Sequence, residues 1–250
     1  MKRFGIISIF LLFVNFFTFS AEETVVSSDV QFRVSGEIAK KVTRSLTLSL
    51  EEELRLKDNF SSFDRLYSTL QASYSFNPWL KAGASYSYLV ISKEKYDQSY
   101  LDFRHRVSLD IEPSYIMGQF EFSLRERLQG TYRTDSVNTE EKPNPALVLR
   151  SRLKLEYSFW SVPLKPYVAV EMFNPLNNPD CLKDESGAWL ENMRYSAGFT
   201  YRFDARNWVE FYYMFEHATG KDVNIKSTET IIKTEIQDNH IFGLSYKYKF

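Results

Sequence analysis

The strongest constraint in the sequence is an alternation of apolar and polar residues that returns in run after run. In the first clear run, Leu46, Leu48 and Leu50 alternate with Thr47 and Ser49. This period of two places the apolar side chains on one face of a β-strand and the polar side chains on the other. Similar runs of roughly eleven to fourteen residues recur to the end of the sequence, about twice the length of an ordinary strand. The chain is therefore expected to be all-β, with long two-faced strands.

The alternation alone does not say whether the apolar row faces a protein core or lipid, because a soluble lipocalin-like barrel has the same period. Length favours the membrane, since strands of about 9–11 residues already cross a tilted barrel wall. Aromatic residues also gather beside the turns, as at Trp79, Trp160 and Trp208, which is typical of an interfacial girdle. We predict an antiparallel up-and-down transmembrane β-barrel of roughly 10–12 strands, with its apolar row toward lipid and its charged row toward the lumen.

Connection lengths point to the same architecture, because bacterial outer-membrane barrels alternate short periplasmic turns with longer external loops. Short connections are expected at residues 77–79, 115–119, 161–164 and 204–207. Longer loops are expected at residues 92–100, 133–145, 174–189 and 218–239. Counting from Ser45 gives ten strands, and an even number would keep both ends of the barrel inside. An alternating segment at residues 30–38 would make eleven and put the N-terminus outside; alternatively, the last loop hides a crossing and makes twelve.

The first twenty residues have the composition of a secretory signal peptide. Met1, Lys2 and Arg3 precede an almost continuous apolar run at residues 4–19, and small residues lie before Ala21. The run is shorter than the roughly 20 residues of a membrane-spanning helix. We expect cleavage near Ala21, an N-terminal segment at 21–44 with an optional extra strand, and a barrel over 45–250.

The composition of the chain argues against several classes of function. The chain has 31 Lys and Arg, 32 Asp and Glu and a formal net charge of -1, so it lacks the basic excess of a nucleic-acid binder. Its one cysteine, Cys181, and its three histidines leave little material for a disulfide framework or a metal centre. No glycine-rich phosphate loop appears either. We therefore predict no nucleic-acid partner, no metal, no cofactor and no catalytic residue.

Several segments resemble one family of outer-membrane barrels from Gram-negative bacteria. They are residues 48–55 (LSLEEELR), 103–106 (FRHR), 122–128 (FSLRERL), 149–155 (LRSRLKL) and 239–250 (NHIFGLSYKYKF). The family is catalogued as domain of unknown function 2490, and the likeness covers nearly all of the mature chain. The final segment also resembles the aromatic-ended last strand that the barrel assembly machinery recognises. The resemblance implies location in the cell outer membrane, among its lipids and lipopolysaccharide, but no reaction or substrate.

The charged residues on the predicted inward row are the candidates for function in the lumen. They are Arg104, Arg106, Arg125, Arg127, Arg150, Arg152 and Arg194, with Glu51, Glu53, Glu171 and Glu216 as the acids. A hairpin turning at 115–118 would set Arg106 nearly opposite Arg127, and facing like charges are unfavourable unless an anion joins them. Either the Arg and Glu rows interlock as salt bridges that fill a narrow barrel, or the uncompensated arginines bind anions in a pore or ligand site.

Two acids interrupt the lipid-facing row, where an ionised side chain is costly. They are Glu52 and Glu126, and the same hairpin would bring Glu126 close to His105 on the outer face. A carboxylate beside an imidazole could serve a lipid-acting acylase or acyltransferase, but the nearest serines, Ser108 and Ser123, fall on the inward row. The alternative explanation for Glu52 and Glu126 is that they lie at a local bulge or at the level of the lipid headgroups.

These observations favour a monomeric, non-enzymatic barrel with a narrow charged lumen. A small anion-leaning pore for small solutes is the first alternative, and a lipid-modifying outer-membrane enzyme is the second. A third class is a binding module whose external loops hold a partner.

Overall fold

A computed structural model of the chain describes residues 25–95, 98–135, 138, 141–179, 182–183, 187, 190–226 and 229–250. Within these residues the chain forms eleven strands that close into a barrel. The strands are β1 (Val25–Lys41), β2 (Leu46–Lys57), β3 (Ser62–Asn77), β4 (Leu80–Lys95), β5 (Gln98–Met117), β6 (Phe120–Arg133), β7 (Ala146–Tyr157), β8 (Leu164–Pro175), β9 (Asn192–Arg202), β10 (Asn207–Lys226) and β11 (Glu229–Lys249). The predicted signal peptide at 1–20 and Cys181 lie outside the described residues.

The barrel closes through a parallel pair between its first and last strands. All other neighbours pair antiparallel and follow the order of the sequence. In the closing pair, the Ser35 hydroxyl donates a hydrogen bond of 2.8 Å to the Ser245 hydroxyl, and the Lys247 ammonium lies 2.7 Å from the Glu37 carboxylate. An odd number of alternating strands requires such a parallel seam. The range of ten to twelve strands is confirmed at eleven, but the inference of an even number is wrong.

β1 is a complete barrel strand that lies in the segment before Ser45. It has 17 residues and pairs with β11 from Val25 to Ala39 and with β2 from Phe32 to Lys41. The strand therefore runs in the same direction as β11, and it begins at the end of the barrel opposite to Phe250.

The connections divide the barrel into two ends. At the turn end they are residues 42–45, 78–79, 118–119, 158–163 and 203–206, and at the opposite loop end the longest are residues 134–145 and 176–191. Two predicted loops are wrong, because residues 92–100 and 218–239 belong mainly to strands. β10 and β11 have 20 and 21 residues, more than the roughly 9–11 that cross a bilayer. A strand of this length extends beyond the lipid, where neither face must be apolar, and this accounts for the weaker alternation there. β10 and β11 pair directly from Asn207 with Tyr248 to Lys226 with Glu229, so residues 218–239 form one hairpin and contain no twelfth crossing.

The assignment of the two faces follows the prediction. The leucines Leu70, Leu109 and Leu153 on the outer wall are each 57% exposed, whereas Glu171 and Glu216 on the inner wall are 7% and 6% exposed. A water-soluble fold has the opposite distribution. A closed barrel that is apolar outside and charged inside has the architecture of an outer-membrane β-barrel, in which no backbone edge is left for lipid. Within the described residues, no helix is both long and apolar enough to span a bilayer.

Aromatic pairs form a girdle at the turn end. The pairs are Tyr74 and Phe76, Tyr157 and Phe159, Tyr201 and Phe203, and Tyr248 and Phe250. In each pair the rings meet edge to face, with centroids between 4.8 and 5.0 Å apart. This geometry is favourable for aromatic rings, and its repetition at one height matches the interfacial belt of a membrane barrel.

Near the seam, the ring of Tyr212 on β10 lies over Gly243 on β11. Gly198 and Gly243 are the register partners of Tyr212 on either side. A Cβ atom at Gly243 would overlap the Tyr212 ring, whereas one at Gly198 would lie 2.8 Å from Tyr212 Cβ, at the backbone end of the side chain. The missing side chain at Gly243 therefore lets the ring cover the inner wall of β11.

Disulfide trapping can test the parallel seam. In a Cys181→Ser background, we expect Ser35→Cys and Ser245→Cys to cross-link on mild oxidation, because their side chains meet across the seam. The cross-linked chain is a large loop and should migrate differently on a denaturing gel. The pair Ser35→Cys and Ser85→Cys, which lies on β1 and β4, is the control and should not cross-link. Failure of the first pair, or equal yields from both pairs, would contradict the closure.

Substitution of Gly243 should destabilise the barrel. We expect Gly243→Ala to cost about 1–3 kcal/mol of unfolding free energy, because the new methyl group overlaps the Tyr212 ring. Urea unfolding in detergent micelles, followed by tryptophan fluorescence, measures this loss. Gly36→Ala is the control, since a Cβ atom there meets nothing within 4 Å. On a Tyr212→Ala background the cost of Gly243→Ala should largely disappear; an undiminished cost would contradict the explanation.

Candidate functional site

The predicted lumen residues lie together on the inner wall. Those that line internal cavities are Arg104, Arg106, Arg125, Arg150, Arg152, Arg194, Glu51, Glu53 and Glu171. Arg127 lies beside them, with its guanidinium 3.0 Å from the Asp110 carboxylate. The alternation of the sequence therefore identifies the correct face for this set, although it does not give the partners.

Four arginines and two glutamates form a continuous network around half of the wall, which we call the ion-pair layer. Its members are Arg33, Arg125, Arg150, Arg194, Glu171 and Glu216. Glu171 accepts hydrogen bonds from Arg125 at 2.8 Å and from Arg150 at 3.0 Å. Glu216 accepts from Arg194 at 2.8 Å and from Arg33 at 3.2 Å, and Arg194 also lies 3.8 Å from Glu171. The layer joins β1 to β10, β9, β8, β7 and β6, and its four cations share two anions.

A second group of charges surrounds Tyr67 on β3, and we call Tyr67 with Arg55, Arg65 and Arg106 the Tyr67 cluster. The guanidinium carbons of Arg55 and Arg106 lie 4.4 and 5.4 Å from the centre of the buried Tyr67 ring. Arg55 is paired with Glu53 at 2.6 Å, and Arg65 is paired with Asp64 at 2.7 Å. Arg106 donates to the Thr131 hydroxyl at 3.1 Å.

Arg33, Arg55, Arg65 and Tyr67 are not among the lumen residues predicted from the sequence. The signal was present for Arg33, Arg55 and Tyr67, because each lies between two outward-facing residues, as Arg55 does between Leu54 and Leu56. Arg65 has the same parity as Tyr67, but it follows the buried Asp64 at a register shift. Their alternate positions along the strands therefore assign them to the lumen. The sequence does not show which of these side chains lie close together, because residues on β1, β2 and β3 approach those on β5 and β10 only once the barrel is closed.

The lumen is divided into chambers. The outer vestibule, a cavity of about 390 Å³, is lined by the Tyr67 cluster and by Arg104, Gln129, Thr131, Arg133, Arg150, Phe173, Glu191, Asn192, Arg194 and Glu216, among others. Below it lie a middle chamber of about 240 Å³ and an inner chamber of about 930 Å³ at the turn end. Arg55, Arg150 and Arg194 line both the vestibule and the middle chamber. These three side chains therefore lie where the two chambers meet, and we call them the partition.

One acid of the vestibule wall lies in a connection rather than in a strand. Glu191 lies just before β9, and burial raises the pKa of its carboxyl while the nearby Arg133 lowers it.

The predicted pairing of Arg106 with Arg127 is wrong. Arg106 lies opposite Thr131, and Arg127 lies opposite Asp110. β5 continues through Pro113 to Met117, so the chain turns at 118–119 rather than at 115–118. Gly118 has a φ of 64° and begins a two-residue hairpin turn, a conformation that favours glycine. The displaced turn shifts the register by four residues.

The two outward-facing acids are each bonded to a serine on the neighbouring strand. Ser68 donates a hydrogen bond of 2.7 Å to Glu52, and Ser151 donates one of 2.6 Å to Glu126. These serines were missed because they look like ordinary members of the outer row. A hydroxyl partner offsets part of the cost of a carboxyl group on this face.

The predicted meeting of Glu126 with His105 is wrong. His105 lies opposite Tyr132, and Glu126 lies opposite Ile111. Six residues along β6 separate Tyr132 from Glu126, which is about 20 Å in an extended strand. His105 instead lies 2.6 Å from the Tyr86 hydroxyl in a hydrogen bond. Ser108 is buried on the inner face, 3% exposed. The outer face therefore presents no carboxylate–imidazole pair at this position.

Metal ligands are not grouped in the part of the chain that the structure describes. Within those residues, no set of three or more His, Cys, Asp or Glu side chains is arranged to hold a metal ion.

Comparisons with known proteins give one matching family and several solved structures of low similarity. A family model described as "Protein of unknown function (DUF2490)" matches residues 30–224, whereas a search of curated proteins gives no match. LpxR from Salmonella typhimurium is similar with a TM-score of 0.46 and 10% identity, covering 86% of this chain and 87% of that one. An anion-selective porin from Comamonas acidovorans has a TM-score of 0.36 and 8% identity, over 82% of this chain and 55% of the porin. OmpT, an outer membrane protein of Vibrio cholerae, has a TM-score of 0.38 and 13% identity, over 83% and 62%. The chain thus spans little more than half of the porin's length.

Removal of one acid from the ion-pair layer should destabilise the barrel strongly. We expect Glu171→Gln to cost about 3 kcal/mol, because Arg125 and Arg150 lose their carboxylate and stay buried. Glu156→Gln is the control: Glu156 binds Lys154 at 2.9 Å and Lys165 at 2.8 Å near the turn end, and because both lysines are more exposed than Arg125 and Arg150, we expect a smaller loss. Urea unfolding in micelles compares the two variants. Equal losses would show that the layer is not a special source of stability.

Proposed function

The chain belongs to the DUF2490 family of proteins of unknown function, and we propose that it is an integral outer-membrane barrel with an occluded lumen. In this proposal the protein is a structural, non-enzymatic barrel rather than an open pore. Its interior is filled by interlocking charges, and its outer half forms a basin that is open to the outside.

The partition between the vestibule and the middle chamber carries this proposal. Arg55, Arg150 and Arg194 project from β2, β7 and β9, so they approach the lumen from different parts of the wall. Arg150 and Arg194 are fixed by hydrogen bonds to Glu171 and Glu216. Side chains held by charged hydrogen bonds are not easily displaced by a passing solute. Narrow barrels commonly fill their interior in this way.

The proposed location follows from the wall of the barrel. An apolar exterior, an aromatic girdle at the turn end and a fully closed ladder suit a lipid bilayer. Export then requires the signal peptide expected at residues 1–20, with cleavage near Ala21. The proposed partners are outer-membrane lipid, lipopolysaccharide and, during biogenesis, the barrel assembly machinery. A closed barrel exposes no strand edge for pairing with another copy, which supports a monomer.

An anion-leaning pore is the second candidate, and the excess of arginine at the partition favours it. The ion-pair layer has four guanidinium groups and two carboxylates, and a ring of such charge selects anions in conducting pores. The two candidates differ in one property, which is whether a continuous water path crosses the partition.

Conductance in planar lipid bilayers separates them. We expect no unitary current from the wild-type barrel, because the three guanidinium groups close the path. The double variant Arg150→Ala and Arg194→Ala should conduct, since it widens the partition yet leaves Arg125 with Glu171 and Arg33 with Glu216 as neutral pairs. The control variant Lys154→Ala and Lys165→Ala, near the turn end, should stay silent. A stepwise, anion-selective current through the wild type would replace the occluded barrel with the pore.

A further inference from the structure

Two arginines of the vestibule, Arg106 and Arg133, have no acidic partner among the described residues, and Arg106 is the one that lies beside the Tyr67 ring. Arg106 forms no ion pair with any acid in the described part of the chain, and its hydrogen-bond partners there, Thr131 and Tyr67, are side-chain hydroxyls. By contrast, Arg55, Arg65 and Arg104 each pair with an acid on their own strand. An unpaired guanidinium in a half-buried wall leaves its outer nitrogens free to donate to a ligand.

The surroundings of Arg106 fix its position. Its guanidinium lies 5.4 Å from the centre of the Tyr67 ring, and the guanidinium of Arg55 lies 4.4 Å from the same ring. Tyr67 is only 7% exposed and packs in the small apolar cluster with Leu89 and Ile91. The ring is therefore a fixed platform that holds two cations close together, an arrangement that is costly unless negative charge is nearby.

The protein itself supplies too little negative charge in this region. In the ion-pair layer, four guanidinium groups share the two carboxylates of Glu171 and Glu216. That leaves two positive charges. Among the described residues of the vestibule wall, Arg106 and Arg133 add two more, and Glu191 and Glu235 offset two. Arg150 and Arg194 of this layer line the same cavity as Arg106. The vestibule is therefore a positive basin enclosed by a low-dielectric wall, which strengthens its attraction for anions.

We propose that the outer vestibule binds a small phosphate-bearing solute, with Arg106 as the main ligand and Arg55 and Arg65 beside it. Guanidinium groups bind phosphate oxygens with paired, charged hydrogen bonds. Three of them around one cavity suit a dianion better than a single carboxylate. The volume of about 390 Å³ accommodates a phosphorylated molecule of modest size, at the lower end of ordinary ligand pockets.

The access route favours a dissolved ligand over a lipid headgroup. A further cavity of about 590 Å³, lined by Ser27, Asp29, Lys57 and Asn59, shares Arg55, Arg65 and Arg194 with the vestibule and lies toward the loop end. A solute reaches the site through this mouth. Acyl chains stay on the apolar outer face, on the other side of the barrel wall.

Calorimetric titration of the intact barrel in detergent micelles tests the proposal, with inorganic phosphate as the probe. We expect binding that weakens with added salt, as surface-connected charge requires, and a loss of at least about tenfold in Arg106→Gln, which corresponds to about 1.4 kcal/mol. Arg152→Gln is the matched control. It removes the same charge from the inner wall, but Arg152 lines the middle chamber and not the vestibule. Heat-modifiable mobility on a gel verifies that both variants are folded.

Three results would overturn the site. One is no phosphate binding by the wild type, and the second is unchanged binding in Arg106→Gln. The third is an equal loss in both variants, which would mean that phosphate responds only to the total charge of the lumen. A parallel titration with micelles of a phosphate-headgroup lipid separates the two sources, because binding of the lipid alone would replace the dissolved ligand.

Chemical modification gives an independent measurement. Phenylglyoxal reacts with free guanidinium groups, so we expect Arg106 to be modified faster than the ion-paired Arg127, as read by peptide mass spectrometry. Inorganic phosphate should protect Arg106 and leave the rate at Arg127 unchanged. Modification of Arg106 that is slow, or that phosphate does not affect, would contradict an open anion site.

Discussion

Closure of the backbone hydrogen-bond ladder is the condition on which the rest of this structure depends. Lipid offers no hydrogen-bond partner, so every strand that faces it must be paired on both sides. Ten of the eleven junctions in the barrel are antiparallel hairpin neighbours, and the last is the parallel seam between β1 and β11. The seam is reinforced inside by Ser35 with Ser245 and by Glu37 with Lys247. Without it, two strand edges would face hydrocarbon and the lumen would have no wall.

The closed wall in turn makes the charged interior tolerable. Arginine and glutamate are costly in a low-dielectric space unless each finds partners, and the ring of strands brings together groups that are remote in sequence. Arg33 on β1 reaches Glu216 on β10, and Arg125 on β6 reaches Glu171 on β8. The network is nonetheless unequal, with more cations than anions. That inequality links the two proposals: the arginines that are proposed to close the path also leave positive charge in the vestibule above them.

The sequence predicts the faces of this protein better than its contacts. Alternation places Arg104, Arg150 and Glu171 inside and Leu70 outside, because a strand gives its residues only two directions. Partners require the register, and the register depends on where each turn falls. The placement of one turn at 115–118 instead of 118–119 was enough to bring Arg106 and Arg127 together wrongly. The parallel seam was inaccessible for another reason: nothing local in residues 30–38 says which strand will lie beside them, since that depends on how many strands follow.

The parallel seam between β1 and β11 also affects how the barrel folds. Ser35 and Ser245 are 210 positions apart in the sequence, so the edge of β1 stays unpaired until β11 is in place. Contacts between such distant positions slow folding, because the intervening chain must be ordered first. A barrel without β11 would have two open strand edges, on β1 and on β10, and β11 covers both of them at once.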